Sequence, residues 1–236
     1  MKKLLILIAI FNFSICLSQE LKKMKGKSTE GWEKYYVLKS DNTIRHGKFE
    51  INSYTPPFNQ LTTGFYKNGA KDSLWTEKYN LKGHNIRSQG YYKNDKKIGI
   101  WIYNDSNGEI IQKYDHDNDI TIFSKECSDI HNCPASIVGG LKQLAYDLAN
   151  ELMWYDFPLN ENGRTLIQFR NTVSLNVEID GSITNVEFVD PITDEKLNDY
   201  LKKKIDKRKG KWIVARKDNI PIREKINIPV AFTAQF

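Results

Sequence analysis

The sequence predicts an α+β C-terminal domain, a three-stranded antiparallel sheet with two helices, preceded by an all-β module of repeated hairpins. Three observations carry that prediction. Residues 171–189 hold two alternating apolar runs that meet at Asp180-Gly181, the pattern of a β-hairpin. Residues 194–207 place Leu197, Leu201 and Ile205 at spacings of four, one face of a helix. In the first half, residues 64–75 and 90–101 align at a constant offset of 26, and such self-similarity marks an architecture of stacked units.

Residues 1–18 have the three parts of a secretory signal: Lys2-Lys3, an apolar run over 4–15 interrupted by Asn12 and Ser14, and the exit Cys16-Leu17-Ser18. The run is short for a permanent membrane span, which needs about 20 apolar residues. Cleavage before Gln19 is therefore expected, giving a periplasmic or secreted protein. A lipid anchor on Cys16 is the alternative, although the bulky Ile15 stands where such sites carry a small residue. Without Lys2 and Lys3, the 35 basic residues become 33 against 29 acidic ones, a net charge of +4. So mild an excess argues against a nucleic-acid binder. The 12 Tyr, 11 Phe and 5 Trp suffice for two modest cores.

In the repeat, Gly64-Phe65-Tyr66-Lys67-Asn68-Gly69 matches Gly90-Tyr91-Tyr92-Lys93-Asn94-Asp95, and Lys71 and Trp75 match Lys97 and Trp101. Each unit reads as an aromatic strand, a turn and a Trp strand. An isolated hairpin is marginal in water, so the units must pair edge to edge. A fainter copy is read at Trp32 and Tyr36, which are four apart as are Trp75 and Tyr79. Ser73 stands where the other copy has Gly99. These motifs resemble the MORN-type repeat of bacterial exported proteins, and the module is placed at residues 26–123. Its aromatics either form the core of a thin sheet or present a carbohydrate or lipid platform. Alternation turns one member of each aromatic pair inward; the second, Tyr66 and Tyr92, is the one expected at the surface as a ligand platform.

A linker follows at residues 124–133, carrying Cys127 and Cys133. In an oxidising compartment their spacing makes a local disulfide the first expectation. Two free thiols, or a redox or metal pair, are the alternatives. The acidic run 115–119 with Thr121 and Glu126 matches the ligand spacing of a calcium loop, but Ile120 occupies the position that needs Gly, and a solvated turn is the simpler reading. The basic run 202–211 suits a helix C-terminus, or an anionic partner. His46, His84, His116 and His131 lack ligand spacing, and no nucleophile, phosphate-loop or dinucleotide motif occurs, so no metal, cofactor or enzymatic activity is expected.

The last region, residues 134–236, opens with Pro134-Ala135-Ser136-Ile137-Val138-Gly139-Gly140 and a helix over 141–154. That helix buries Leu141, Leu144, Ala145, Leu148 and Leu152 at helical spacing. Strands follow at 172–179, 183–189 and 223–236. The order strand, strand, helix, strand, with the Pro-x-x-x-x-Gly-Gly entry, resembles the C-terminal domain of TonB, the periplasmic part of the energy transducer that grips outer-membrane receptors. The resemblance implies capture of a partner peptide, such as one from an outer-membrane receptor, by strand addition. The candidate strand carries Ile228, Val230, Phe232 and Ala234. Val214 replaces the Pro of the family's Trp-x-Pro-Ala pattern, and 7 Pro in the whole chain leave no long spacer. A binding or adaptor protein is therefore expected, with a TonB-like transducer, a toxin-antitoxin-type partner or an enzyme as alternatives.

Overall fold

The computed structural model describes residues 19–235, apart from 55, 57, 82, 128, 130, 153–154, 156–165, 191–194 and 209–210. The expected signal segment lies outside the described residues. Nine strands form one antiparallel meander in sequence order: β1 (Leu21–Lys27), β2 (Trp32–Leu38), β3 (Arg45–Asn52), β4 (Gln60–Lys67), β5 (Ala70–Lys78), β6 (Ile86–Lys93), β7 (Lys96–Asn104), β8 (Ile110–Asp115) and β9 (Ile120–Ser124). The sheet thus begins at Leu21, five residues before the boundary read from the sequence.

The hairpins come from turn chemistry. Asn68-Gly69 and Asn94-Asp95 have φ of 51° and 90°, and of 50° and 65°. Two consecutive left-handed residues make the mirror-image turn whose twist matches paired strands. A second left-handed residue recurs two positions before each large ring: Gly47 (φ 92°) before Phe49, Ser73 (62°) before Trp75 and Gly99 (59°) before Trp101. Each sits in a register shift against the preceding strand, a β-bulge. The third copy of the repeat is therefore Arg45-Gly47-Phe49, at the same offset of 26. Trp32 is not its Trp: that ring is 43% exposed, packed edge-on against Tyr54. Phe in place of Trp hides the true copy from a motif search.

The second region contains β10 (Ser136–Ile137), α1 (Leu141–Leu152), β11 (Leu166–Val177), β12 (Ile183–Phe188), α2 (Glu195–Asp206), β13 (Trp212–Ile213), β14 (Ala215–Lys217), β15 (Ile220–Ile222) and β16 (Glu224–Gln235). Its main sheet has the order β12-β11-β16, all antiparallel. Leu144, Leu148 and Leu152 of α1 and Leu197, Leu201 and Ile205 of α2 are buried against Val173, Leu175 and Val177 of β11 and Ile226, Ile228 and Val230 of β16. The fold adds two small pairings to the three strands expected: β13 with β10, and the hairpin β14-β15.

The two regions meet in a shared interface. Gln112 of β8, fully buried, donates Nε2 to Ile137 O at 3.2 Å and accepts Gly139 N–H on Oε1 at 2.6 Å. One side chain thereby satisfies the backbone on both sides of Val138, whose side chain packs with Ile213 on the aromatic cluster of the large sheet. The cysteine segment is tied down as well: Cys133 and Arg216 exchange backbone hydrogen bonds of 3.0 and 2.8 Å.

Candidate functional site

Trp75 and Trp101 lie flat across glycines of the neighbouring strand. A Cβ on Gly64 would stand 2.2 Å from the Trp75 ring, and one on Gly90 would stand 2.4 Å from that of Trp101. The residue two positions beyond each glycine shares its face, so Tyr66 and Tyr92 turn inward. Tyr66 packs edge-on against Phe49 and Trp75, at 5.4 and 5.3 Å, and Tyr92 bridges Trp75 and Trp101, at 5.7 and 5.1 Å. This reverses the expectation of an exposed platform at Tyr66 and Tyr92: the first aromatics, Phe65 at 47% and Tyr91 at 56%, are the exposed ones. Over the buried rings runs a row of cations at the repeat spacing. Arg45 stands 4.5 Å from the Tyr35 centroid, Lys71 is 4.3 Å from Trp75 and Lys97 is 3.8 Å from Trp101.

The second candidate, β16, is an outer strand: β11 pairs with one side of it, and no described strand pairs with the other. Thr172 of β11 gives its carbonyl to Val189 N–H at 2.9 Å, toward β12, so its partner in register, Pro229, makes no ladder bond to β11. Pairs alternate along an antiparallel ladder, and this register runs unbroken over twelve pairs. Asn227, Pro229, Ala231, Thr233 and Gln235 therefore turn their backbone groups to the free edge. The residues singled out from the sequence fall on the other parity. Ile228 and Val230 are 0% and 1% exposed, and the amides of Ile228, Val230, Phe232 and Ala234 face β11, opposite Val173, Asn171, Phe169 and Ile167. Side-chain face and amide direction share the period of two, so a residue that fills the core cannot also offer its N–H at the edge.

A third place emerges only in three dimensions. Between the face of β5–β7 and the start of α1 lies a cavity of about 130 Å³. Glu77, Arg87, Lys97 and Tyr103 line it from the sheet, and Gly139, Gly140 and Asp147 from the other side, with Arg208 and Lys211 beyond α2. Arg87 pairs with Glu77 at 3.1 Å and Asp147 at 3.0 Å, joining the two regions through one guanidinium. Arg208 approaches Asp147 at 3.8 Å and Glu151 at 3.6 Å. Burial pushes the Glu77 carboxyl up, but Arg87, Lys97 and the Ser88 hydroxyl at 2.8 Å outweigh it and hold the group below its ordinary value. At Asp147 burial prevails over Arg87 and Arg208, and the carboxyl sits above its ordinary value. Lys97 donates to the Tyr103 hydroxyl at 3.2 Å, and no ion pair joins it to a carboxylate among the described residues. Burial, with Lys211, Lys71 and Arg87 nearby, pushes its ammonium down to about 8 against the pull of Glu77. The Tyr103 hydroxyl also lies 3.1 Å from Nε2 of His116, which burial and Lys97 push down to about 4.

Cys127 and Cys133 lie at bonding distance, 2.07 Å between sulfurs. The acidic run is a tight turn between β8 and β9: Asp115 Oδ1 accepts Asp117 N–H at 2.9 Å, and Asp117 accepts Gly99 N–H at 3.0 Å. No cluster of His, Cys, Asp and Glu suited to a metal occurs among the described residues. Within the basic run, Lys204 and Arg208 face Glu151 of α1. Compared with protein-family models, curated proteins and solved structures, the chain finds no match.

Proposed function

We propose that this is an exported envelope protein, a binding or adaptor protein whose C-terminal domain captures an extended segment of a partner protein by strand addition on β16. The observation that carries the reading is the edge of β16 that no described strand pairs, where Ala231, Thr233 and Gln235 turn N–H and C=O groups outward in register. Backbone pairing of this kind supplies affinity with little demand on sequence. Pro229 has no N–H to offer and faces the same edge, which restricts capture to the stretch beyond it and blunts the edge against self-association. The order of elements over residues 134–236, similar to the TonB C-terminal domain, supports the same reading. The signal-like residues 1–18 and the cysteines at bonding distance support export.

The test uses Ala231→Pro and Thr233→Pro in the full chain, with a photo-reactive residue at 235 to trap the partner in cells. Both prolines replace outward amides, so circular dichroism should show an intact fold while trapping falls. Val230→Pro, which removes a bond to β11, should unfold the domain. A folded Ala231→Pro variant that traps the same partner undiminished would rule out strand addition here.

A further inference from the structure

We infer that the cavity between the repeat sheet and the start of α1 is a binding site for a small oxyanion, a phosphate or carboxylate group held between Lys97 and Lys211. Its size fits: a cavity of about 130 Å³ is several times the roughly 10–15 Å³ that one water needs, which leaves room for a small oxyanion.

The charges fit as well. Arg87, Arg208 and Lys204 are occupied by Glu77, Asp147 and Glu151, three cations against three carboxylates, a network that neutralises itself. Lys97 and Lys211 remain, both lining the cavity and neither joined to a carboxylate among the described residues. Two cations beside a confined, partly dehydrated space attract an anion more strongly than they would at an open surface. Gly139 and Gly140 hold φ of 100° and 84° and add no side chains to the wall; their N–H groups are bonded to Gln112 Oε1 and Ile137 O, so the lysines are the groups that meet the anion. Helix α1 starts immediately after them with no acidic residue in its first turn, leaving the positive end of its dipole without an internal counter-charge. Strand addition at β16 does not require this site. An occupied site would brace the junction, since Lys97 belongs to the sheet and Lys211 to the domain beyond it.

Titration calorimetry on the full chain tests this with inorganic phosphate in one arm and sodium succinate in another. Saturable binding is expected in at least one arm, and the arm that responds identifies the source of the oxyanion. Lys97→Met and the more exposed Lys211→Met should each weaken it by at least about tenfold, as expected for losing a charge-assisted contact. Lys97→Arg should retain it, and Lys217→Met, at the surface of β14, should leave it unchanged. Lys211→Met keeps the test decisive should Lys97→Met fold poorly. Absence of saturable binding in both arms, or binding that survives Lys211→Met and a folded Lys97→Met at full strength, would overturn the assignment.

Discussion

The two halves of this molecule bury apolar surface by opposite means. In the sheet of β1–β9 the buried cluster is Phe49, Trp75, Trp101, Tyr103 and Tyr114 with three aliphatics, Ile51, Leu61 and Ile111. In the C-terminal domain the buried residues are almost all Leu, Ile, Val and Ala, and Trp212 is the one aromatic among those described. A domain with helices over its sheet has a second layer, so branched aliphatic chains interdigitate between the layers. A long meander with a second layer over only part of one face has to supply its own cover. It does so with broad rings laid on glycines, and with Arg45, Lys71 and Lys97 folded across the rings. The repeat period of 26 is the period of this device.

The largest expected effect breaks the comparison at its strongest member. Trp75→Ala and Trp101→Ala each remove a side chain 1% and 0% exposed, and each should cost about 3–5 kcal/mol of stability in urea denaturation. They should differ in reach. Val138 and Ile213 pack on the same cluster, and Trp101 neighbours Tyr103 and its Lys97 contact at the junction. Trp101→Ala should therefore also expose Trp212 of the C-terminal domain to fluorescence quenching under mild urea, and Trp75→Ala should do so less. Exposure of Trp212 in neither variant would mean that the two regions unfold as independent units despite Gln112.

The contrast also explains what could be read in advance. Asp180-Gly181 and the Leu197, Leu201, Ile205 spacing were legible because hairpin turns and helix faces are local, and the structure has β11 and β12 flanking that turn and α2 burying those three residues. The offset of 26 was legible for the same reason. The inward turn of Tyr66 and Tyr92 was not, because Gly64 and Gly90 make room for rings from the next strand, and that crossing is a property of the paired sheet. Phe49 hid the third repeat by substituting for Trp. The parity of β16 depends on which way Thr172 points in a different strand. Gln112 and the cavity residues carry no local signal; a buried Gln is identified only by the backbone it satisfies.

A smaller effect asks how far the junction keeps water from Lys97. Lys97 has a folded-state value near 8 against 10.5 when unfolded. Between those values the unfolded chain binds more protons, so stability rises with pH from about 8 to 10.5, on the order of 3 kcal/mol in full. Below pH 8 the ammonium is charged in both states and its burial is a standing cost. Glu77 opposes the shift, and Lys211, Lys71 and Arg87 add to it. Tyr79, raised to about 12 by burial, works the other way, its contribution being lost from pH 10 upward. The clean comparison is therefore the stability of the wild type minus that of Lys97→Met, measured at pH 7.5 and 9.5. The difference should move in favour of the wild type at the higher pH. A constant difference would show that water reaches Lys97 freely.

The smallest effect asks whether the cation row covers the rings by its charge or by its hydrocarbon. Lys71 Nζ stands 4.3 Å from the Trp75 centroid and 5.0 Å from that of Tyr92. Lys71→Met keeps an unbranched chain over the rings and deletes the charge, so it should lose only the cation–π attraction, about 0.5–1 kcal/mol at a partly exposed site. Lys71→Ala also uncovers the rings and should lose more, with Trp75 emission shifting toward the red as water gains access. If the Met variant is as unstable as the Ala variant, attraction between charge and ring holds this sheet together. If Met is neutral and Ala costly, the lysines act as a thin hydrocarbon layer, doing for the repeat sheet what α1 and α2 do for the domain beyond it.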